Sequence, residues 1–166
     1  MVKYNSVINE VMRVYDAIAA GYSHLRVRAW NLIKELKPST NWVIDVGCGP
    51  CHNGLEFLRL SKCAKLVCLD ISIEMLKVVK RNVRRFPQLS TYVNLIQADM
   101  RYMPFRSNVF KRMMYIASLN HVPPHELPNV LNECFRVLDH DGEVLMTLWA
   151  LTHPIVLKAF VTNVFK

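Results

Sequence analysis

Short apolar runs alternate with amphipathic helical segments along most of the chain, and this alternation restricts the possible folds more than any other feature. A strand that is followed by a helix and a second strand usually pairs in parallel with that strand, through a right-handed crossover. The sequence therefore predicts an α/β fold with a doubly wound, mostly parallel sheet. The five predicted strands are Trp42–Val46, Leu66–Asp70, Tyr92–Ala98, Arg112–Leu119 and Gly142–Ala150.

Helical periodicity fills the segments between these strands. The predicted helices span about residues 53–60, from the cap at Ser72 to about Phe86, and Pro124–Leu138, which a turn over Asp139–Gly142 follows. Before the first strand, residues 7–36 predict two helical segments, which Gly21 interrupts, and the second runs from about Arg26 to Leu36. The chain has no linker, so we expect a single domain over residues 1–166, with a helical cap (1–40), a core (41–150) and a tail (151–166).

An acid lies at or next to the carboxyl end of each of the first three predicted strands: Asp45, Asp70 and Asp99. Doubly wound sheets bind ligands at the carboxyl ends of their strands, so these side chains are expected to meet at one site. Asp70 is placed to accept hydrogen bonds from both hydroxyls of a ribose. Asp99 is placed to accept one from an adenine amino group.

A glycine-rich turn, Gly47-Cys48-Gly49-Pro50, follows the first strand. Glycines let the backbone approach a ligand closely, and the next helix offers free N–H groups. Dinucleotide oxidoreductases need a third glycine three residues after the second, but His52 occupies that position. Asp45 beside the turn would also repel a pyrophosphate, whereas it suits the cationic groups of S-adenosylmethionine.

The chain is strongly basic, with a formal net charge of +8 and an isoelectric point near 9.4. This charge favours a polyanionic partner, with nucleic acid first and a membrane surface second. No apolar run is long enough to span a bilayer, and the N-terminus lacks the features of a signal peptide. We therefore expect a cytoplasmic protein.

The cysteine pattern predicts no metal site. The five cysteines do not form paired Cys-x-x-Cys arrays, which argues against a zinc ribbon. Cys48 and Cys51 are interpreted as small residues in a tight loop, and any disulfide pairing stays open.

Several of these segments resemble the S-adenosylmethionine-dependent methyltransferase superfamily, which has a Rossmann-like fold. The matching segments are residues 43–49, Leu69–Ser72 with Met75 and Leu76, Ala98-Asp99, and Met103–Phe105 followed by Phe110. The resemblance implies S-adenosylmethionine as cofactor, with its methionine end held by Asp45, Gly47, Cys48 and Gly49. It implies that Asp70 binds the ribose and that Ile71 and Met75 pack near the adenosine. It also implies that Asp99 and Met100 lie at the adenine and that Ala117 lines the site. The chain departs from the pattern at Cys51, where many relatives have glycine, and at Lys111, where an acid is usual.

A narrower resemblance is to the tRNA wobble-uridine methyltransferases, which esterify a carboxymethyl group on the uridine at the first anticodon position. It is carried by Val14–Ala19, Tyr22-Ser23, Arg26, Trp30, Ile116–His121 and Leu148–Ala150. It implies that Tyr15 and Tyr22 cover the cofactor. As catalytic residues it favours Arg26, which would clamp a carboxylate, and Asn120 and His121; Asn120 replaces a histidine of the family. Arg28 is interpreted as a solvated surface charge.

Two other functions stay open, a small-molecule methyltransferase of the quinone type and a catalytically silent scaffold that binds the cofactor or RNA. The tRNA family also implies a small zinc-binding activator subunit, which would add a strand at the edge formed by Tyr92–Ile96.

Five cations share one face of the helix after the second strand, and they form either a solvated face or a phosphate contact: Lys77, Lys80, Arg81, Arg84 and Arg85.

The superfamily's usual sheet has seven strands, so five strands imply a truncated chain or a minimal form.

Overall fold

A computed structural model describes residues 2–25, 28–61 and 64–148 of the chain. The strands are β1 (Trp42–Val46), β2 (Lys65–Asp70), β3 (Val93–Gln97), β4 (Phe110–Tyr115) and β5 (Leu138–Met146). They form one sheet in the order β3-β2-β1-β4-β5, and every neighbouring pair is parallel. The strand order changes direction between β1 and β4, which places a ligand-binding crevice at the carboxyl end of β1.

Helices cover both faces of the sheet, so the predicted doubly wound fold is confirmed. The α-helices are α1 (Val2–Leu25), α2 (His52–Leu60), α3 (Ile73–Arg84), α4 (Pro87–Ser90) and α5 (Leu127–Val137), and short 3-10 helices lie at Asn31–Glu35, Leu119–His121 and Pro124–Glu126. Successive side chains of a strand point to opposite faces, so Val43 and Ile44 of β1 enter different cores. The core around Val43 is packed by α2 and α3, and the core around Ile44 by α5.

The N-terminal region differs from the prediction. The expected break at Gly21 is wrong, because α1 continues through it to Leu25. Gly21 is exposed and costs about 1 kcal/mol of helix propensity, and burial of Ala19 against Met75 of α3 opposes this cost. The predicted helix from Arg26 to Leu36 is also wrong, since of its described residues, 28–36, only Asn31–Glu35 is helical, as a short 3-10 helix.

An extended backbone at Trp30 explains the second error. Trp30 has φ −75° and ψ 137°, and its N–H donates to the side-chain oxygen of Asn53 at 2.9 Å, so it does not join a helix.

The last strand begins earlier than predicted. Leu138 already pairs with Phe110, and pairing resumes at Glu143 opposite Arg112, so an irregularity separates the two contacts. The predicted turn over Asp139–Gly142 lies within this irregularity. Beyond β5, Thr147 donates its N–H to the carbonyl of Tyr115 at 2.9 Å. Residues 149 and 150 of the predicted strand lie outside the described residues.

Within the described residues β3 is an edge of the sheet, as expected, because it pairs with β2 alone. Among the same residues no helix combines the length and the apolar character that a bilayer crossing needs.

Candidate functional site

The turn after β1 uses a left-handed backbone at three positions. Gly47 has φ +66°, Gly49 φ +52° and Cys51 φ 59°. A Cβ added to Gly47 would lie 2.5 Å from the Cβ of Ser118, so this glycine permits close packing against the segment after β4. Cys51 adopts the left-handed conformation despite its side chain, which costs about 1–2 kcal/mol. The turn thereby delivers the chain to the N-terminus of α2.

Cys51 is held in place by a disulfide to Cys68 of β2, a pairing that the sequence left open. The two Cα atoms are 6.5 Å apart, and both side chains are buried. The bond joins the turn to the strand that carries Asp70. Cys48 is a free and buried thiol, and burial raises its pKa well above the ordinary value.

Asp70 connects the turn to the start of α3. One carboxylate oxygen accepts the N–H of Gly49 at 2.8 Å, and the other accepts the N–H of Ser72 at 2.9 Å. Burial raises the pKa of Asp70, and these two hydrogen bonds oppose the rise because they favour the ionised carboxylate. Asp70 is buried and belongs to the pocket wall.

Asp45 lies beneath the turn and is not part of the pocket wall. Its carboxylate accepts the N–H of Gly54 at 3.0 Å and braces the first turn of α2. Burial raises the pKa of Asp45 to about 7, and the nearby charge of Asp70 adds to the rise. Asp45 therefore exchanges its proton near neutral pH, directly under the expected methionine end of the ligand.

Asp99 is engaged by a residue that the sequence reasoning missed. The guanidinium of Arg101 donates to both of its carboxylate oxygens, at 3.1 Å and 2.6 Å, and also lies 3.4 Å from Glu126. A carboxylate oxygen accepts more than one hydrogen bond, so Asp99 can still receive one from an adenine amino group. Arg101 fixes the orientation of that carboxylate.

Most of the predicted cofactor residues meet in one pocket at the carboxyl ends of β1, β2, β3 and β4. Its wall includes Tyr15, Tyr22, Gly47, Cys48, Gly49, Asp70, Ile71, Asp99, Met100, Ala117 and His121. Met75 is fully buried under α1, and Asn120 is partly exposed; neither lies in the pocket wall. Arg26 lies outside the described residues.

The pocket wall also contains residues outside the predicted set of cofactor-binding and catalytic residues. Arg28 is exposed and forms part of the wall together with Trp30, so the interpretation of Arg28 as only a surface charge is incomplete. The hydroxyl of Ser118 is buried and has no hydrogen-bond partner among the described residues. The family resemblance included Trp30 and the segment that contains Ser118, but it did not indicate that Arg28 lies in the wall, which depends on how the chain before β1 packs.

Helix α1 closes one side of the pocket through an aromatic contact. The Tyr15 hydroxyl lies 2.7 Å from Nε2 of His121, and the two rings meet edge to face at 5.1 Å. Burial lowers the pKa of His121, which favours the neutral imidazole at this contact. Asp16, the next residue of α1, accepts a hydrogen bond from the Ser72 hydroxyl at 2.6 Å, so α1 is also attached to the N-terminus of α3.

These residues fit an adenosine-bearing cation. The left-handed turn lets backbone lie close to a ligand. Two buried acids, Asp45 and Asp70, lie beside the turn, and the buried Ser118 hydroxyl has no hydrogen-bond partner among the described residues. Aromatic rings and Met100 provide apolar walls.

Comparison with known proteins identifies the family of the chain. Residues 43–142 match the family described as "Methyltransferase domain". The chain is 30% identical over 144 residues to the tRNA (carboxymethyluridine(34)-5-O)-methyltransferase of Arabidopsis thaliana, a match that covers 84% of this chain and 32% of that protein. It is 30% identical over 155 residues to the ubiquinone/menaquinone biosynthesis C-methyltransferase of Wigglesworthia glossinidia brevipalpis, with 87% of this chain and 60% of that protein covered. The chain thus spans less than two thirds of these relatives.

Among solved structures, a protein from Pyrococcus horikoshii has a TM-score of 0.60 and 28% identity to this chain. The match covers 69% of this chain and 51% of that one.

Proposed function

Because the chain belongs to the methyltransferase domain family, we propose that it transfers a methyl group from S-adenosylmethionine to an anionic oxygen. The observation that carries the proposal is the pocket at the carboxyl ends of the strands, where Asp70 and the turn after β1 are joined by a hydrogen bond of 2.8 Å. When bound, S-adenosylmethionine supplies an electrophilic methyl group on a sulfonium.

Each part of the pocket has a separate task. The backbone of Gly47 and Gly49 allows close approach of the methionine end, and Asp70 accepts hydrogen bonds from the ribose hydroxyls. Asp99, oriented by Arg101, accepts a hydrogen bond from the adenine amino group. The contact between Tyr15 and His121 excludes water from one side, which favours methyl transfer to an anion because a hydrated nucleophile reacts slowly.

We propose a carboxylate as the acceptor, carried on the wobble uridine of tRNA. A carboxylate is already ionised at neutral pH, so the site needs alignment and a cation rather than a base. Arg28 in the pocket wall supplies a guanidinium within the described residues, and Arg26 is the second candidate for a bidentate clamp. The net charge of +8 and the name of the Arabidopsis relative support this acceptor.

The relative from Wigglesworthia supports the alternative of a small quinone-type acceptor. A purely scaffolding role is less well supported, since Asp45, Asp70 and Asp99 are all retained.

A methyl-transfer assay with methyl-labelled S-adenosylmethionine tests the acceptor. The substrates are tRNA that carries 5-carboxymethyluridine, the same tRNA without that modification, and a lipid extract that contains quinone precursors. A carboxyl ester releases volatile labelled methanol in mild alkali, whereas N-, C- and ether-linked methyl groups stay. Alkali-labile product on the modified tRNA alone supports the proposal; stable label, or label in lipid only, contradicts it.

We further propose that a small zinc-binding activator pairs with the β3 edge. Val93, Leu95 and Ile96 on this strand are half-buried, and Tyr92 beside it is exposed. An apolar edge strand of this kind is usually covered by another chain or loop. A purified monomer with full activity would contradict an obligate activator.

A further inference from the structure

A second cavity of about 460 Å³ adjoins the cofactor pocket. It lies between residues 28–34, helix α2 and the end of α3, and is called the basic groove below. Arg28, Trp30 and His52 belong to the walls of both cavities, so a ligand in the basic groove can extend into the pocket. Its volume is in the range of small-ligand sites.

The basic groove carries an excess of positive charge. The cations in its wall are Arg28, Lys34, Arg59 and Arg85. Among the described wall residues the single acid is Glu56, which Arg59 pairs at 3.4 Å. Exposed Lys80, Arg81 and Arg84 extend the positive charge from Arg85 along α3, whereas Lys77 on the same helix is paired with Glu74.

Aromatic rings are exposed beside these cations. Trp30 is 38% and Phe86 39% exposed, and both belong to the wall of the basic groove. Aromatic faces bind unpaired bases by stacking, and adjacent cations neutralise the phosphates between them. A row of cations alone would suit any polyanion, but cations together with exposed rings favour a single strand of nucleic acid.

We propose that the basic groove binds a single-stranded RNA segment that flanks the methyl acceptor, with phosphates on Lys34 and Arg85 and a base on Phe86. This inference rests on the proposed function, since it assumes that the acceptor is part of an RNA. The groove is concave and lies beside the cofactor pocket, so a strand held there leads a neighbouring nucleotide toward Arg28. A flat bilayer surface cannot enter such a groove, which makes an anionic membrane the weaker candidate.

Fluorescence anisotropy with a fluorescein-labelled, unstructured RNA decamer tests the inference. The variants are Arg85→Glu, Phe86→Ala and, as a control with the same charge change, Arg106→Glu, which is exposed and outside the groove wall. Arg85→Glu should weaken RNA binding about tenfold and lower the slope of log affinity against log salt by about 0.7, the value for one phosphate contact on a single strand. Phe86→Ala should weaken binding severalfold with the slope unchanged, because stacking releases no counterions. Arg106→Glu should change affinity less than twofold.

Equal losses of RNA affinity in Arg85→Glu and Arg106→Glu would overturn the inference. It would also be overturned if anionic phospholipid vesicles, in a sedimentation assay, bound the wild type as tightly as the RNA does and lost that binding in Arg85→Glu. Affinity for S-adenosylhomocysteine serves as the folding control and should stay unchanged, since neither Arg85 nor Phe86 belongs to the pocket wall. The two proposals fail separately. RNA bound in the groove without methyl transfer to any tRNA refutes the proposed function alone. Wild-type KM for tRNA in Arg85→Glu refutes the groove alone.

Discussion

Replacing Asp45 with asparagine should stabilise the ligand-free protein above neutral pH. Burial raises the pKa of Asp45 from 3.8 to about 7, so the folded state holds a proton that the unfolded state releases. The contribution to stability is therefore fully present below about pH 4 and is lost as the pH rises to 7. The difference between the two pKa values corresponds to about 4 kcal/mol.

The asparagine in the Asp45→Asn variant would keep the contact with the backbone because its amide oxygen can accept the N–H of Gly54, which now lies 3.0 Å from the carboxylate. The variant removes the titration at this position and retains the acceptor for that hydrogen bond. Its stability relative to the wild type should rise by as much as about 4 kcal/mol between pH 4 and pH 8. The same change should weaken binding of S-adenosylmethionine, since a cationic ligand favours the ionised form of Asp45, which asparagine cannot adopt.

Urea unfolding of both proteins from pH 4 to pH 8, without ligand, measures this difference directly. Asp139 serves as a control because its pKa is lowered by Lys111, so Asp139→Asn should not stabilise the protein at high pH. Parallel stability curves for wild type and Asp45→Asn would refute the assignment of the raised pKa to this carboxyl.

Three further predictions concern single contacts. Gly21→Ala should stabilise the protein by about 1 kcal/mol, measured as a higher Tm, because a Cβ there meets nothing within 4 Å in a continuous helix; a lower Tm would contradict an unbroken α1. Cys68→Ser should lower the free energy of unfolding by about 3 kcal/mol under non-reducing conditions, since it opens the loop that Cys68 closes with Cys51 at a sequence separation of 17. An equal loss of stability with and without reductant would contradict the disulfide. Tyr15→Phe removes the 2.7 Å contact with His121 and should lower kcat/KM severalfold while the Tm stays within a few degrees; unchanged kinetics would show that the contact has no part in turnover.

The strands were predictable because their burial comes from local sequence. The β1 bounds agree with the prediction, since an apolar run is confined between polar residues and a glycine turn. The error at Gly21 arose because intrinsic propensity was given more weight than packing, and the Ala19–Met75 contact depends on two distant helices. The early start of β5 likewise depends on pairing with Phe110, which local periodicity does not reveal.

The candidate site was predictable to the extent that it follows from strand ends. Asp70 and the two glycines come together because the carboxyl ends of parallel strands share one edge. The Cys51–Cys68 bond depends on the register that sets Asp45 opposite Cys68, and sequence spacing does not define that register. The clamp of Arg101 on Asp99 and the position of Arg28 depend on loop geometry, which carries no periodic signal.

Calorimetric titration with S-adenosylhomocysteine tests the central claim, that the pocket at the ends of β1, β2 and β3 holds the cofactor. The wild type should bind one equivalent. Asp70→Ala should bind about 5- to 150-fold more weakly, which corresponds to the roughly 1–3 kcal/mol expected when hydroxyls lose a buried charged acceptor. Circular dichroism of the variant confirms that it is folded. Absence of binding to the wild type, or equal affinity in a folded Asp70→Ala protein, would contradict the account.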